Sequence, residues 1–544
     1  MNNSPGSPLR SQTSPAPMHV LISDHLPESG WRLLKSAPDA STSGPFAGRE
    51  ELLAALPGAD ALIVRSATQV DGELLAAGSR LKVVARAGAR LENIDIDEAT
   101  RLGIMVINVP DANVNAVVEH AFGMLLALSR RIPEAYVALQ AGTWPRHAIL
   151  GRQLHGKTIG VIGFGRLGRE TAARARAFGM QVLVYDPYID LSLAREQGVE
   201  MVGFDELLRR SDVLVPLTAY TMQTHNLLDQ AAFAKAKDGA VLVNVVNAGL
   251  VDENALLAAL QYGKLAGAAL DTLNQEPPRP DHPLLRHPNV LVLPHLNQNT
   301  VESQEDTGRQ VVSDVLAALR GGDYRNVVNL PFDSRTPYAD VRPYIRLAAR
   351  LGKLHGQLAE GWIELVEVEL LGERLEDLVR PVAAVLLSGM LLPVGGRQVN
   401  WVSAPVLAHT QGVRTAQAKG LVERGDYPNL MACRIHWAGG QRTVAGALFA
   451  NGDARLVQYD GFQVDAEPEG FVLILENADV PGIIGKVGTQ LGSAGINIAN
   501  WRYGREKRGG RAVSFINVDG RVPREILAAL EEHPEIQRAR LVKL

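Results

Sequence analysis

From His19 to about Arg320 the chain repeats one pattern: a short run of Val, Ile and Leu, then a longer stretch with apolar side chains at helical spacing. The runs lie at 62–65, 81–85, 158–162, 181–185, 213–217, 240–244, 266–270 and 290–293, each four or five residues long. They are apolar almost throughout and do not alternate, which predicts strands covered on both faces, as in a parallel sheet. Stretches such as 165–178 and 252–262 supply the covering helices. Repeated β–α alternation of this kind predicts a doubly wound α/β architecture.

Two such Rossmann-like units are expected. The first covers 18–115 and is re-entered by a helix and its continuation at 303–328, which makes it discontinuous. The second covers 116–302. Residues 329–465 change character, mixing helices at 344–358 and 416–423 with β-like runs at 364–371 and 443–448, and are read as an intervening α+β domain. The last segment, 466–544, runs β-α-β-β-α-β, with strands at 471–476, 496–500, 512–518 and 537–542 and helices at 482–493 and 524–532. That order predicts a ferredoxin-like domain. Residues 1–17, rich in Ser and Pro and without the apolar stretch of a signal peptide, are expected to be a disordered tail ahead of a cytoplasmic enzyme.

Composition narrows the function classes. A chain of 544 residues exceeds what one core can hold, and 46% hydrophobic with 21% charged residues is the balance of a globular protein. The net charge of −4 gives no field for nucleic acid or an anionic membrane, so an anionic substrate must be held by local groups. No stretch approaches the roughly 20 apolar residues of a membrane span. The single cysteine, Cys433, excludes an internal disulfide and a cysteine-built metal site, and is expected to be a small buried hydrophobe. No metal is expected.

The chemistry begins at 158–162, an apolar run followed at once by Gly163-Phe164-Gly165-Arg166-Leu167-Gly168 and a helix. Gly163 allows the tight turn, Gly165 lets the backbone approach a pyrophosphate, and Gly168 allows close helix–strand packing. The helix N-terminus adds N–H donors and positive dipole. Asp186 ends the next strand 18 residues after Gly168. A carboxylate there accepts from the ribose hydroxyls and repels a 2′-phosphate, so NAD is expected over NADP. His295 follows the run 290–293 and Pro294, at a strand's C-terminal end. An imidazole there can exchange a hydroxyl proton near neutral pH. Glu276, between the two, can hydrogen-bond that imidazole and favour its charged form.

These motifs in this order resemble the D-isomer-specific 2-hydroxyacid dehydrogenases, and among them the long-form D-3-phosphoglycerate dehydrogenases. The resemblance includes Ile63-Val64-Arg65-Ser66-Ala67-Thr68, Asn93, Asn113, the glycine motif, Asp271, Glu276-Pro277, Pro294-His295 and Arg442-Thr443-Val444-Ala445-Gly446. It implies that Arg65 and Ser66 contact substrate phosphate, with Arg90 and Asn113 in the same substrate site. It also implies that Thr221 and Asp271 line the cofactor, Asp271 facing the nicotinamide carboxamide, and that His295 and Glu276 form the acid/base pair. The family's catalytic arginine is Asn247 here, in Asn244-Val245-Val246-Asn247-Ala248-Gly249, and an amide cannot make the bidentate Arg–carboxylate pair. The segment after the histidine, Asn297-Gln298-Asn299-Thr300, also departs, and Arg90 and Glu92 replace a usual glycine and aspartate.

Two explanations follow. In one, Arg90 restores the missing positive charge and the first reaction of L-serine biosynthesis proceeds. In the other, the chain binds NAD but turns over poorly and serves partly as a regulator. A dehydrogenase for another D-2-hydroxy acid is the third reading. The terminal domain resembles an ACT domain, which pairs across subunits; Asp479 and Asn497 are its expected contacts to an amino-acid effector, L-serine in relatives. Arg414, Lys419 and Arg442 are basic residues of the intervening segment that an anion site there would need to bring together. A homo-oligomer, dimer or tetramer, is expected, with the apolar helix at 115–128 as its first contact.

Overall fold

Strands that are apolar on both sides need helices above and below them, and this is what the chain builds. A computed structural model describes residues 17–189, 191–331, 338–372, 375, 378–395, 399–423, 425, 427–449 and 452–544. Residues 1–16 of the expected tail lie outside the described residues. The chain divides into two units, one formed by Pro27–Trp31 and Val109–Gln310, the other by Arg32–Asn108, Val311–Leu544 and the segment up to Leu26. Among the described residues no helix is long and apolar enough to cross a membrane.

The unit around Val109–Gln310 holds a seven-stranded parallel sheet. Its strands are β6 (Thr158–Ile162), β7 (Gln181–Tyr185), β8 (Glu200–Met201), β9 (Val213–Pro216), β10 (Ala240–Asn244), β11 (Leu265–Leu270) and β12 (Val290–Val292). The spatial order is β12-β11-β10-β9-β6-β7-β8, so chain progression reverses between β6 and β9. Ligands in open parallel sheets sit outside the strand C-termini at such a reversal. On one face the Val114–Ser129 helix buries Val117, Phe122 and Leu125 against Ile159, Val161, Val215 and Val243. The apolar face of the segment 115–128, expected as a first subunit contact, is thus largely core.

The other unit carries three sheets. Strands β1 (Met18–Ile22), β2 (Ala40–Ser43), β3 (Ala61–Val64), β4 (Val83–Arg86) and β5 (Met105–Ile107) form a parallel sheet in the order β2-β1-β3-β4-β5. The Val301–Leu319 helix brings the chain back to it, and Arg320 closes with a bidentate pair to Asp39 at 2.6 and 2.8 Å. A six-stranded sheet follows, β14-β13-β15-β16-β17-β18, from Ile363–Leu371 (β13), Arg414–Gln417 (β14), Leu430–Trp437 (β15), Gly440–Leu448 (β16), Ala454–Tyr459 (β17) and Phe462–Ala466 (β18). The ferredoxin-like end has β19 (Phe471–Ala478), β20 (Ile498–Arg505), β21 (Arg511–Val518) and β22 (Ile536–Lys543) in the antiparallel order β20-β21-β19-β22, with helices Ile483–Ser493 and Arg524–Glu531.

The helix expected at 416–423 is absent. Arg414–Gln417 is instead an edge strand parallel to β13, and the chain beyond it turns back. The cause is Glu369, a buried carboxylate on β13 that accepts from the N–H groups of Gly420 (2.6 Å) and Leu421 (2.7 Å), donors a helix would need for itself. Cys433 is buried, as expected.

The Tyr338–Leu358 and Val379–Gly395 helices cross with their backbones in contact. A Cβ on Gly352 would lie 2.3 Å from the Leu386 carbonyl oxygen, and one on Gly389 would lie 2.6 Å from the Lys353 nitrogen. Backbone cannot move aside as a side chain can, so even one methyl forces the helices apart. Gly352→Ala should therefore lower the thermal transition of this domain by the equivalent of about 1–3 kcal/mol. An unchanged melting profile in calorimetry would show that the crossing is looser than these distances imply.

Candidate active site

The dinucleotide loop follows β6. Gly163 has φ of +97°, and a Cβ on it would come within 2.8 Å of the Thr218 nitrogen, so both conformation and space require glycine. A Cβ on Gly168 would lie 2.2 Å from the Gly163 carbonyl oxygen. A Cβ on Gly165 would meet only open space. That opening stands at the N-terminus of the Arg166–Ala177 helix, and it is the cradle a pyrophosphate needs. Asp186 ends the neighbouring strand and accepts from the N–H groups of Phe164 (2.8 Å) and Tyr188 (2.9 Å), so it also fixes the glycine loop. Leu167 is half-buried, Arg166 is ion-paired with Asp111, and Asn113 is buried at the start of the Val114–Ser129 helix. Thr221 is exposed in a loop that closes on itself through Thr224 Oγ1, 2.7 Å from the Thr221 nitrogen. The residues present fit NAD.

His295 stands just beyond β12 with φ of +56°, a left-handed backbone rare for a residue with a Cβ. Its Nδ1 lies 2.8 Å from Glu276 Oε2, and the other Glu276 oxygen accepts from Thr272 Oγ1 (2.7 Å) and Leu273 N–H (3.2 Å). Burial works to raise the Glu276 carboxyl, but the bonds from His295 and Thr272 outweigh it and hold the group below the usual carboxylate range. With Nδ1 committed to Glu276, Nε2 is the nitrogen left to exchange a proton.

Asp271, at the end of β11, has no solvent exposure. Its Oδ1 faces His120 Nε2 (2.9 Å) and accepts from Leu296 N–H (2.9 Å); its Oδ2 accepts from Asn297 N–H (2.9 Å). Its oxygens are turned to the backbone that carries His295. Asn297 donates in turn to the Val245 carbonyl (2.5 Å), tying this loop to the one after β10. Asn247, on that second loop, turns its Oδ1 to Gly249 N–H (2.9 Å), and Asn244 Nδ2 donates to the Asn247 carbonyl (2.8 Å). The Asn247 side chain is folded against its own backbone.

In the other unit Arg65 and Ser66 follow β3. The Arg65 N–H donates to Asp24 Oδ2 (2.6 Å), and Asn93 Nδ2 donates to the Arg65 and Thr68 carbonyls at 2.7 and 2.6 Å, which fixes the loop. Arg90 lies 3.2 Å from Glu92 Oε1, and Arg86 lies 2.8 Å from Glu92 Oε2. Burial works to raise the Glu92 carboxyl, yet its own backbone N–H and these two guanidiniums hold it below its ordinary value. Arg442 is buried and committed to the Leu358 carbonyl (2.6 Å) and Asp460 (3.3 Å), while Arg414 and Lys419 are exposed, so the three do not form one anion site. Asp479 and Asn497 do not meet either. Asp479 accepts from Tyr503 Oη and Gly509 N–H, both at 3.0 Å, at the Ala478 end of the sheet. Asn497 donates to Asp519 (2.7 Å) at the Phe471 end. Among the described residues no group of three or more His, Cys, Asp or Glu could hold a metal.

Sequence reasoning missed His120, whose only signal is a polar ring in an apolar helix, and treated Asn297 as a departure without a role. Comparison with known proteins follows this geometry closely. Residues 122–297 match the D-isomer specific 2-hydroxyacid dehydrogenase NAD binding domain, 340–460 the D-3-phosphoglycerate dehydrogenase intervening domain, and 471–535 the ACT domain. The D-3-phosphoglycerate dehydrogenase of Methanocaldococcus jannaschii is 35% identical over 526 residues, 96% of this chain and 99% of its own. That of Bacillus subtilis is 37% identical over 485 residues, 89% and 92% of the two chains. A crystal structure of a glyoxylate reductase from Paecilomyes thermophila is similar with a TM-score of 0.52 and 32% identity, over 58% of this chain and 99% of that one. The chain belongs to the D-3-phosphoglycerate dehydrogenases of the D-isomer specific 2-hydroxyacid dehydrogenase family.

Proposed function

We propose that this protein oxidises D-3-phosphoglycerate to 3-phosphohydroxypyruvate with NAD, the first step of L-serine biosynthesis. The observation that carries the reading is the His295–Glu276 pair, 2.8 Å apart, on the same C-terminal sheet edge as the glycine loop. The glycine loop and Asp186 would hold NAD, which would supply the acceptor for the C2 hydride. Neutral His295 accepts the C2 hydroxyl proton at Nε2, and Glu276 stabilises the imidazolium that results. Arg65 and Ser66 hold the phosphate, Asn113 the remaining polar atoms, and Arg90 supplies the carboxylate charge that Asn247 lacks. Arg86 and Arg90 share the carboxylate of Glu92, which among the described residues leaves two guanidinium charges facing one carboxylate there. The enzyme works in the cytoplasm.

The chain acts as a homo-oligomer. Support comes from the Ile132–Gln140 helix, where Ile132, Tyr136, Val137 and Leu139 are exposed, and from Trp144 and Leu150 beyond it, exposed by 78% and 85%. So dense an apolar surface is rare on a monomer. Asp479 and Asn497 lie at opposite ends of an 11-residue helix, roughly 16 Å apart along it. An L-serine effector bound by both therefore needs a second ACT domain paired by two-fold symmetry.

Three measurements test this. Glu276→Gln removes the carboxylate that supports the imidazolium, and should lower kcat by roughly a hundredfold with little change in KM. An unchanged kcat would remove Glu276 from the pair. Arg90→Ala should raise KM for D-3-phosphoglycerate about tenfold, as loss of one charged contact does, against no change for the surface control Arg521→Ala. Equal behaviour of the two variants would exclude Arg90. Finally, Tyr136→Glu with Val137→Glu should reduce the mass measured by light scattering to a smaller species. An unchanged mass would place the subunit contact elsewhere.

A further inference from the structure

The buried face of the Val114–Ser129 helix is built from Val117, Val118, Ala121, Phe122 and Leu125. His120 stands among them with its side chain only 19% exposed and its Nε2 2.9 Å from Asp271 Oδ1. A histidine placed in a core only to fill space would be worse than leucine, because its ring must lose water at both nitrogens. The ring here has a specific partner. Asp271 already accepts from Leu296 N–H and Asn297 N–H, both at 2.9 Å, and among the described residues His120 provides the one side-chain donor to that carboxylate. Two backbone N–H groups aimed at it leave Asp271 accepting only, so Nε2 of His120 carries the proton.

The peptide groups held in this way are those directly after His295. At φ of +56° the His295 backbone lies on the order of 1–2 kcal/mol above a relaxed conformation, and it keeps that state only under restraint from its surroundings. The restraint comes from two sides. Asp271 takes the N–H groups of residues 296 and 297, and the Asn297 amide grips the Val245 carbonyl at 2.5 Å. Without the His120 donor, the buried carboxylate loses a side-chain partner and is free to shift toward other donors. The left-handed turn then loses the group that defines it.

We propose that His120 is a positioning residue for proton transfer: through Asp271 it fixes the backbone of residues 295–297, and so holds the His295 imidazole against Glu276. It touches neither substrate nor cofactor. The proposal rests on the reading of His295 as the acid/base group, and the test separates the two. In the full-length protein, His120→Leu removes the donor at similar volume, and His120→Gln restores an N–H near the position of Nε2. His120→Leu is expected to lower kcat for D-3-phosphoglycerate oxidation roughly tenfold to a hundredfold. KM, and the NAD dissociation constant from fluorescence titration, should stay within about twofold, because neither ligand contacts the ring. His120→Gln should recover most of kcat, which a merely space-filling role does not explain. In a His295→Gln background, His120→Leu should have no further effect, since the group it positions is gone. If His120→Leu does not fold, His120→Asn, polar but too short to reach Asp271, takes its place in every comparison. Wild-type kcat in His120→Leu, equal losses in the Leu and Gln variants, or a further loss on top of His295→Gln would each overturn the assignment. Full activity in His295→Gln alone would instead sink the acid/base reading, whatever His120 does.

Discussion

A carboxylate with no access to water must find its hydrogen bonds inside the protein, because an unpaired buried charge costs several kcal/mol. Asp271 meets that requirement with a helix side chain on one side and two successive backbone N–H groups on the other. The bonds leave little freedom for the chain between residues 295 and 297. They place a left-handed residue where the sequence has a histidine, and they set its ring beside Glu276. The reacting pair is therefore only partly a property of its own two residues. Its geometry is inherited from a satisfied ion just behind it.

The same logic extends across the sheet edge. In a parallel sheet every strand ends on the same side, so the loops after β6, β7, β9, β10, β11 and β12 share one rim. Three of these loops are held by a neighbour. Asp186 after β7 fixes the glycine turn after β6, Asn297 after β12 grips the loop after β10, and Asp271 after β11 fixes the turn after β12. Glu276 follows this pattern as well. Burial works to raise its carboxyl, and three donors keep it ionised, which is the state that can support an imidazolium. A rim cross-tied in this way is rigid before any ligand arrives, and proton transfer needs that preorganisation.

Much of the fold is legible in the sequence where one physical demand dominates. Strands β6, β7 and β10 fall on the expected 158–162, 181–185 and 240–244, because burial on both faces leaves a continuous apolar run bounded by polar ends. The helix expected from residue 344 begins earlier, at Tyr338, with Pro343 inside it, since a proline that ends a pattern in sequence is tolerated near a helix start. The segment 416–423 misleads for a different reason. Its helical spacing is real, but Glu369, nearly fifty residues upstream, takes its N–H donors, and no local pattern encodes that contact. At the site, His295 and Glu276 are readable because their order after the glycine motif is distinctive. His120 is not, since its role depends on a carboxylate 151 residues away.

Asn247 shows how an uncharged amide can hold the loop that bears it. Its amide caps the turn at Ala248–Leu250, and the Tyr220 ring lies over Gly249, 2.5 Å from where a Cβ would stand. Loop shape is thus set by backbone and amide contacts alone, and it needs no guanidinium to persist. Electrostatics differs. An amide offers a dipole where a guanidinium offers a full charge and a fork matched to carboxylate, so the grip on an acid must be supplied by groups on other loops. Among the proposed candidates, Arg90 comes with Glu92 attached, and a substrate carboxylate must compete with Glu92 for it. Glu92 in turn has Arg86 at 2.8 Å to fall back on. Because that second partner is in place, releasing Arg90 does not leave Glu92 unpaired, and a cation held in an ion pair at rest remains available to a ligand that brings its own negative charge.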